Sequence, residues 1–279
     1  MDCYRWVEGE GIPLTTVSFQ TGNGHWGSLI SVMYRLLCIT AHPDDEAGAF
    51  GGTLALYADR GVEVHLVCLT AGTAARNRGT AQNDDDLAQL RSAELLLSCE
   101  HLGIRFCEVL HFSDGKLDQA NFHEVIGTLV ERIRRIRPHV VMSFAPDGGL
   151  TGHPDHAMAG TFATLAFEWA GRPDRYPKQL AQGLEPHRAQ KLYWATADFV
   201  LADRMPTAPA PVMARVEVGM ERFERKIEAF MKHKTQEPLF DRLRKNLGGA
   251  PTEELFHLAA TREPRAAKLE TDLFAGVEE

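Results

Sequence analysis

The chain has no apolar run long enough to span a bilayer, which excludes a membrane-spanning helix. Positive charge is short: 30 Lys and Arg stand against 38 Asp and Glu, a net charge of −8. That balance gives no electrostatic basis for binding nucleic acid. The G-x-G-x-x-G spacing of a dinucleotide loop is missing. Phe50-Gly51-Gly52-Thr53 does not supply it, and its glycines read instead as sites of close helix packing or ligand approach. Five cysteines, an odd number without a C-x-x-C pair, give no disulfide framework. Cys38 and Cys68 read as small buried hydrophobes, and a reduced, cytoplasmic location is expected. The first residues lack a cationic start followed by an apolar core, so no secretory signal is expected. There is no internal repeat and no long low-complexity tract.

What is present is an ordinary globular composition, 44% hydrophobic and 24% charged in 279 residues. Residues 1–33 have turn-rich, aperiodic composition and read as a peripheral extension or an ordered surface arm. Residues 34–260 read as a single domain and 261–279 as a charged C-terminal tail. Within the domain, strand and helix patterns alternate. Strands are expected at Leu36–Thr40, Val62–Leu69, Ile104–Leu110, Val140–Phe144 and Leu192–Ala197. Helices are expected at Ala47–Arg60, Asp84–Leu102, Phe122–Ile136, Asp155–Trp169, Met220–His233 and Leu239–Leu247. Gly61 and Gly103 are helix stops, and residues 71–83 and 171–188 read as loops. Strands separated by helices of this length imply an α/β fold with a mostly parallel sheet covered on both faces.

Two clusters carry chemistry. Ala41-His-Pro-Asp-Asp-Glu46 follows the first strand, and His153-Pro-Asp-His156 follows the fourth. Ligands of such sheets bind beyond the carboxyl ends of the strands, so the two clusters share one rim. His42 and Asp45, three apart at a strand-to-helix turn, can chelate one cation, and His156 can complete the set. Two imidazoles and a carboxylate leave a catalytic zinc one position for water; ferrous iron also suits these donors. Asp44 is then placed to act as general base, with a helix N-cap role as its competitor. His153 can stabilise an oxyanion or protonate a leaving amine, and Asp155 can orient an imidazole. Glu46 fits the first turn of a helix, where negative charge is favoured.

These motifs, with Gly51-Gly52, resemble the LmbE-like (PIG-L) family of zinc-dependent de-N-acetylases. Leu90-Arg91 with Glu94, Leu102-Gly103, Phe112-Ser-Asp-Gly115, and Lys226 with His233-Lys-Thr-Gln236 extend the likeness over roughly residues 34–236. The resemblance implies a Rossmann-like sheet and hydrolysis of an N-acyl amide, most often on a 2-acetamido sugar. It implies His42, Asp45 and His156 as zinc ligands, Asp44 as general base and His153 as the oxyanion or amine partner. It also points to Arg91, Asp114 and His233 as substrate contacts, with surface, helix-pairing or packing roles as alternatives. One departure stands out: Thr73 occupies a position where relatives often carry Glu, while Arg76 and Arg78 lie nearby. An acetamido sugar or glycoconjugate is the expected partner, with homo-oligomerisation left open. An amidase acting on a thiol conjugate or a secondary-metabolite precursor is a rival reading, and a non-catalytic metal-binding module is another.

Overall fold

Leu36–Ile39 and, apart from His65, Val64–Leu69 are apolar without alternation, the pattern of strands covered on both faces, and these side chains are buried. The computed structural model describes residues 16–20, 26–30, 33–198, 208–240, 252–263 and 268–278. β1 (Thr16–Gln20) and β2 (Trp26–Ile30) form an antiparallel pair of their own. The main sheet follows as β3 (Arg35–Thr40), β4 (Glu63–Thr70), β5 (Phe106–Phe112), β6 (Val140–Phe144), β7 (Lys191–Ala195), β8 (Ala214–Glu217) and β9 (Glu253–Thr261). Its order is β5-β4-β3-β6-β7-β9-β8. The first five strands of that order run parallel, and β9 runs antiparallel to both β7 and β8.

The helices are α1 (Asp45–Asp59), α2 (Asp84–Leu102), α3 (Phe122–Ile136), α4 (Pro154–Ala170), α5 (Pro177–Ala181) and α6 (Gly219–Phe230). α1, α2 and α6 pack together on one face of the sheet, and α3 and α4 pack together on the other. Helix ends follow the sequence signals. The Asn83 side chain caps α2, and the Asn121 side chain caps α3. Gly103 closes α2 in the left-handed conformation, at φ 79°. The expected layering and the mostly parallel sheet are therefore both present.

Three features depart from the sequence reading. The 171–188 region contains the short helix α5, tied down by the buried Arg134, which donates to the carbonyls of Ala170, Arg172 and Arg175. β8 and β9 were not legible: Glu253-Glu-Leu-Phe-His-Leu-Ala-Ala-Thr261 is rich in helix formers, and pairing with β7 and β8 overrides that preference. Beyond β9, Leu273 is fully buried and the Glu270 carboxylate meets Lys191 Nζ at 2.9 Å, so residues 268–278 pack onto the domain. Most of the helix expected at Leu239–Leu247 lies outside the described residues. No helix among the described residues is long and apolar enough to cross a membrane. Cys38, Cys68, Cys99 and Cys107 are free thiols, and the first two are fully buried in β3 and β4.

Candidate metal centre

β3 and β6 are neighbours at the point where strand order reverses, and the crevice beyond their carboxyl ends is where this architecture places a ligand. The turn after β3 delivers His42, Asp44 and Asp45. Asp45 folds back on that turn, and its Oδ2 accepts the amides of Ala41 (3.1 Å) and His42 (2.8 Å). Asp44 adopts φ 115°, a left-handed backbone that costs a non-glycine residue about 1–3 kcal/mol and persists only when its surroundings enforce it. It occupies the N-cap position of α1, yet its side chain makes no capping bond. The turn after β6 delivers His153 at the N-cap of α4, and Pro154 at the first helical position suits a helix start.

The donors converge from both turns. His156 Nε2 lies 3.0 Å from Asp45 Oδ1, and His42 Nδ1 lies 3.6 Å from Asp45 Oδ2. Ligands about 2.0–2.2 Å from one cation at near-tetrahedral angles stand roughly 3.3–3.5 Å apart, so these spacings fit a shared ion. The far nitrogens are engaged as metal-bound imidazoles require. His42 Nε2 faces Asp114 Oδ1 at 3.0 Å and Asp155 Oδ2 at 3.3 Å, and His156 Nδ1 faces Thr151 Oγ1 at 3.2 Å. The His156 ring also stacks on Phe144 at a centroid distance of 4.1 Å. Asp155 is itself anchored by the amides of Gly115 (2.7 Å) and Leu117 (3.2 Å), and Asp114 by that of Ala74 (2.6 Å). His42, His153 and His156 form one cluster with ligand atoms within 4.8 Å of each other; His42, Asp114 and Asp155 form a second. Asp45 is the carboxylate that meets imidazoles from both turns, His42 and His156, so its side is the better cradle for a cation.

The charges agree with this. Burial works to raise the Asp45 carboxyl, but the imidazoles of His156 and His42 outweigh it and hold it well below the usual carboxylate range. Burial likewise opposes a charge on His42, and the carboxylates of Asp114, Asp155 and Asp45 outweigh it, lifting that imidazole well above its ordinary value. Asp44 differs: burial pushes its carboxyl up to about 6, against the pull of the Arg91 guanidinium. His153 is lowered by burial and by the neighbouring positive imidazoles. The Asp155 amide donates to His153 Nδ1 at 3.1 Å, so a neutral His153 carries its proton on Nε2.

The three residues carried over from the resemblance as substrate contacts each hold other protein groups in this structure. Arg91 is buried, and it grips the Pro43 carbonyl, the Gly72 carbonyl (2.6 Å) and Asp44 Oδ2 (3.0 Å). Asp114 has one oxygen on His42 and the other on Ala74. His233 is fully buried, with Nε2 2.7 Å from Glu46 Oε1. In the following loop Thr73 is partly buried, Arg78 pairs with Asp84 at 2.7 Å, and Arg76 is exposed. A Cβ on Gly52 would stand 2.9 Å from Val218 Cγ2, and one on Gly51 3.0 Å from Lys226 Cγ, so this pair lets α6 and its approach lie against α1. Ser98 and Thr151 escaped the sequence reading, because an isolated hydroxyl carries no spacing signal.

Similarity to known proteins agrees with this arrangement. The family model described as PIG-L: GlcNAc-PI de-N-acetylase matches residues 37–167. A 1D-myo-inositol 2-acetamido-2-deoxy-alpha-D-glucopyranoside deacetylase of Rhodococcus jostii is 35% identical over 59% of this chain and 62% of its own length. The enzyme of that same name from Mycobacteroides abscessus is 31% identical over 88% of this chain and 98% of its own length. Among solved structures, the N,N'-diacetylchitobiose deacetylase from Pyrococcus horikoshii superposes with a TM-score of 0.66 at 24% identity, covering 81% of this chain and 84% of that one, a likeness of fold. With near-complete coverage of a relative above 30% identity and both His/Asp turns inside the matched region, this chain belongs to the PIG-L family of de-N-acetylases.

Proposed function

We propose that the protein hydrolyses the N-acetyl amide of a 2-acetamido sugar or glycoconjugate, with Zn2+ held by His42, Asp45 and His156. The carrying observation is that three metal-type donors, a carboxylate free of capping duty and an imidazole donor share one crevice. The deacetylases among its relatives supply the substrate class. Ferrous iron would satisfy the same donors.

A bound divalent cation supplies Lewis-acid polarisation and makes water acidic near neutral pH. The protein's own groups do the rest. Asp44, with a carboxyl near 6, is mostly ionised at neutral pH and takes a proton from the attacking water. Arg91 holds that carboxylate at 3.0 Å and fixes its direction. The water oxygen bonds to the amide carbon, and His153 donates Nε2–H to the oxygen that gains charge. The C–N bond then breaks, the amine takes the proton held by Asp44, and acetate leaves. Asp155 contributes by keeping His42 in one tautomer.

The test is acetate release from a panel of acetamido sugars, with metal analysis of the same preparation. Release dependent on added Zn2+ or Fe2+ supports the reading. Turnover of a thiol-conjugate or antibiotic-precursor amide alone would transfer the protein to the rival amidase class. A stoichiometric metal with no hydrolysis of any amide would leave a binding module.

A further inference from the structure

We propose that Glu46, braced by Ser98 and His233, is a positioning residue that enforces the conformation of the general base Asp44. This rests on the role given to Asp44 above and extends it to groups outside the crevice.

Glu46 stands two residues after Asp44, in the first turn of α1. An acidic residue there commonly serves the helix dipole from an exposed position. Glu46 does not: it is fully buried, and its carboxylate is divided between three donors. Oε2 accepts the Asp44 amide at 2.9 Å, reaching back as a capping-box glutamate does. Oε1 accepts the Ser98 hydroxyl at 2.5 Å and faces His233 Nε2 at 2.7 Å. The amide it holds belongs to the residue at φ 115°. With its N–H held by Glu46 and its Oδ2 by Arg91, Asp44 is fixed at both ends, and its carboxylate is kept apart from the one Asp45 turns toward His156.

The bracing is systematic. Arg91, Glu94 and Ser98 fall at i, i+3 and i+7 on one face of α2, and all three are buried. Arg91 grips the Asp44 carboxylate and Ser98 grips Glu46. Glu94 accepts the amide (2.8 Å) and hydroxyl (2.6 Å) of Thr235, fixing the turn that carries His233. His233 Nδ1 is buried without a hydrogen-bond partner among the described residues, so the polar contact this ring makes there is the one to Glu46. The segment after α6 thus bears on the base through the His233 imidazole.

The experiment compares four variants of the full chain, Glu46→Gln, Ser98→Ala, His233→Leu and His233→Gln, by steady-state kinetics, metal content and crystallography. The amide introduced by Glu46→Gln has one oxygen and cannot accept from both sides. A displacement of the base by about 1 Å costs on the order of 100-fold. Glu46→Gln and His233→Leu are therefore expected to lose roughly 10- to 100-fold in kcat, with KM within about twofold and metal content unchanged. His233→Gln, which keeps a donor at the same place, should stay near wild type, and Ser98→Ala, the mildest change, should fall between. In crystals of Glu46→Gln, Asp44 should leave the left-handed region or swing its carboxylate. Unchanged kcat in both Glu46→Gln and His233→Leu would overturn the proposal, as would equal losses in His233→Leu and His233→Gln. If the wild-type protein hydrolyses no acetamido sugar, the functional reading fails instead, and the Asp44 backbone in the Glu46→Gln crystal still decides this one.

Discussion

Asp155 Oδ2 lies 3.3 Å from His42 Nε2, across two turns 113 residues apart. Asp155 cannot reorient, because its two oxygens also accept the amides of Gly115 and Leu117. The contact favours a proton on Nε2 and leaves Nδ1 as the nitrogen that faces Asp45.

Asp155→Asn should therefore weaken metal binding by about 10–100-fold, because a neutral amide does not raise the basicity of the ring as the carboxylate does. A competition titration of the chelator-stripped protein with Zn2+ measures this. Wild-type affinity in the variant would remove Asp155 from the metal's support.

Asp44→Asn separates chemistry from metal binding. The asparagine oxygen still accepts from Arg91, so the turn should survive, but it cannot take a proton. Turnover is expected to fall by about 10²–10⁴-fold. Metal stoichiometry should match wild type. Activity within a few-fold of wild type would mean that another group removes the proton.

A pH dependence of stability is expected away from the crevice. Burial pushes His187 down to about 4, even though its Nε2 donates to the Pro138 carbonyl at 2.8 Å. In the unfolded chain a histidine titrates near about 6.5. Between those values the unfolded state binds the extra proton, so stability is complete above about 6.5 and is lost as pH falls toward about 4. Thermal melts of wild type and His187→Gln across this window provide the check, since the glutamine keeps a donor but does not titrate. Parallel curves for the two proteins would show that His187 does not contribute.

Local pattern carried much of this protein into view. The runs at Leu36–Thr40 and Val140–Phe144 are strands because they are apolar apart from Thr40 and Ser143, and α2 and α3 have the bounds their Asn caps, and the Gly103 stop of α2, announce. His42, Asp45, His153 and His156 stood out because two such clusters, each following a strand, fall on one rim of the sheet, and the structure brings their side chains together there. β9 was not legible, because a returning antiparallel strand is defined by its distant partners rather than by its own residues. Arg91 and His233 were visible as residues but not as contacts. A charged side chain reads as exposed until the tertiary structure supplies the acceptors that let it be buried.

The sequence by itself determined the alternation of strands and helices and the residue types that meet at the rim, since both depend on chain-local periodicity and chemistry. Only the tertiary structure decided which carboxylate faces which imidazole. Asp44 and Asp45 are neighbours with the same side chain. The left-handed backbone at Asp44, enforced from α2 and from the segment after α6, turns one toward Arg91 and leaves the other to His42 and His156.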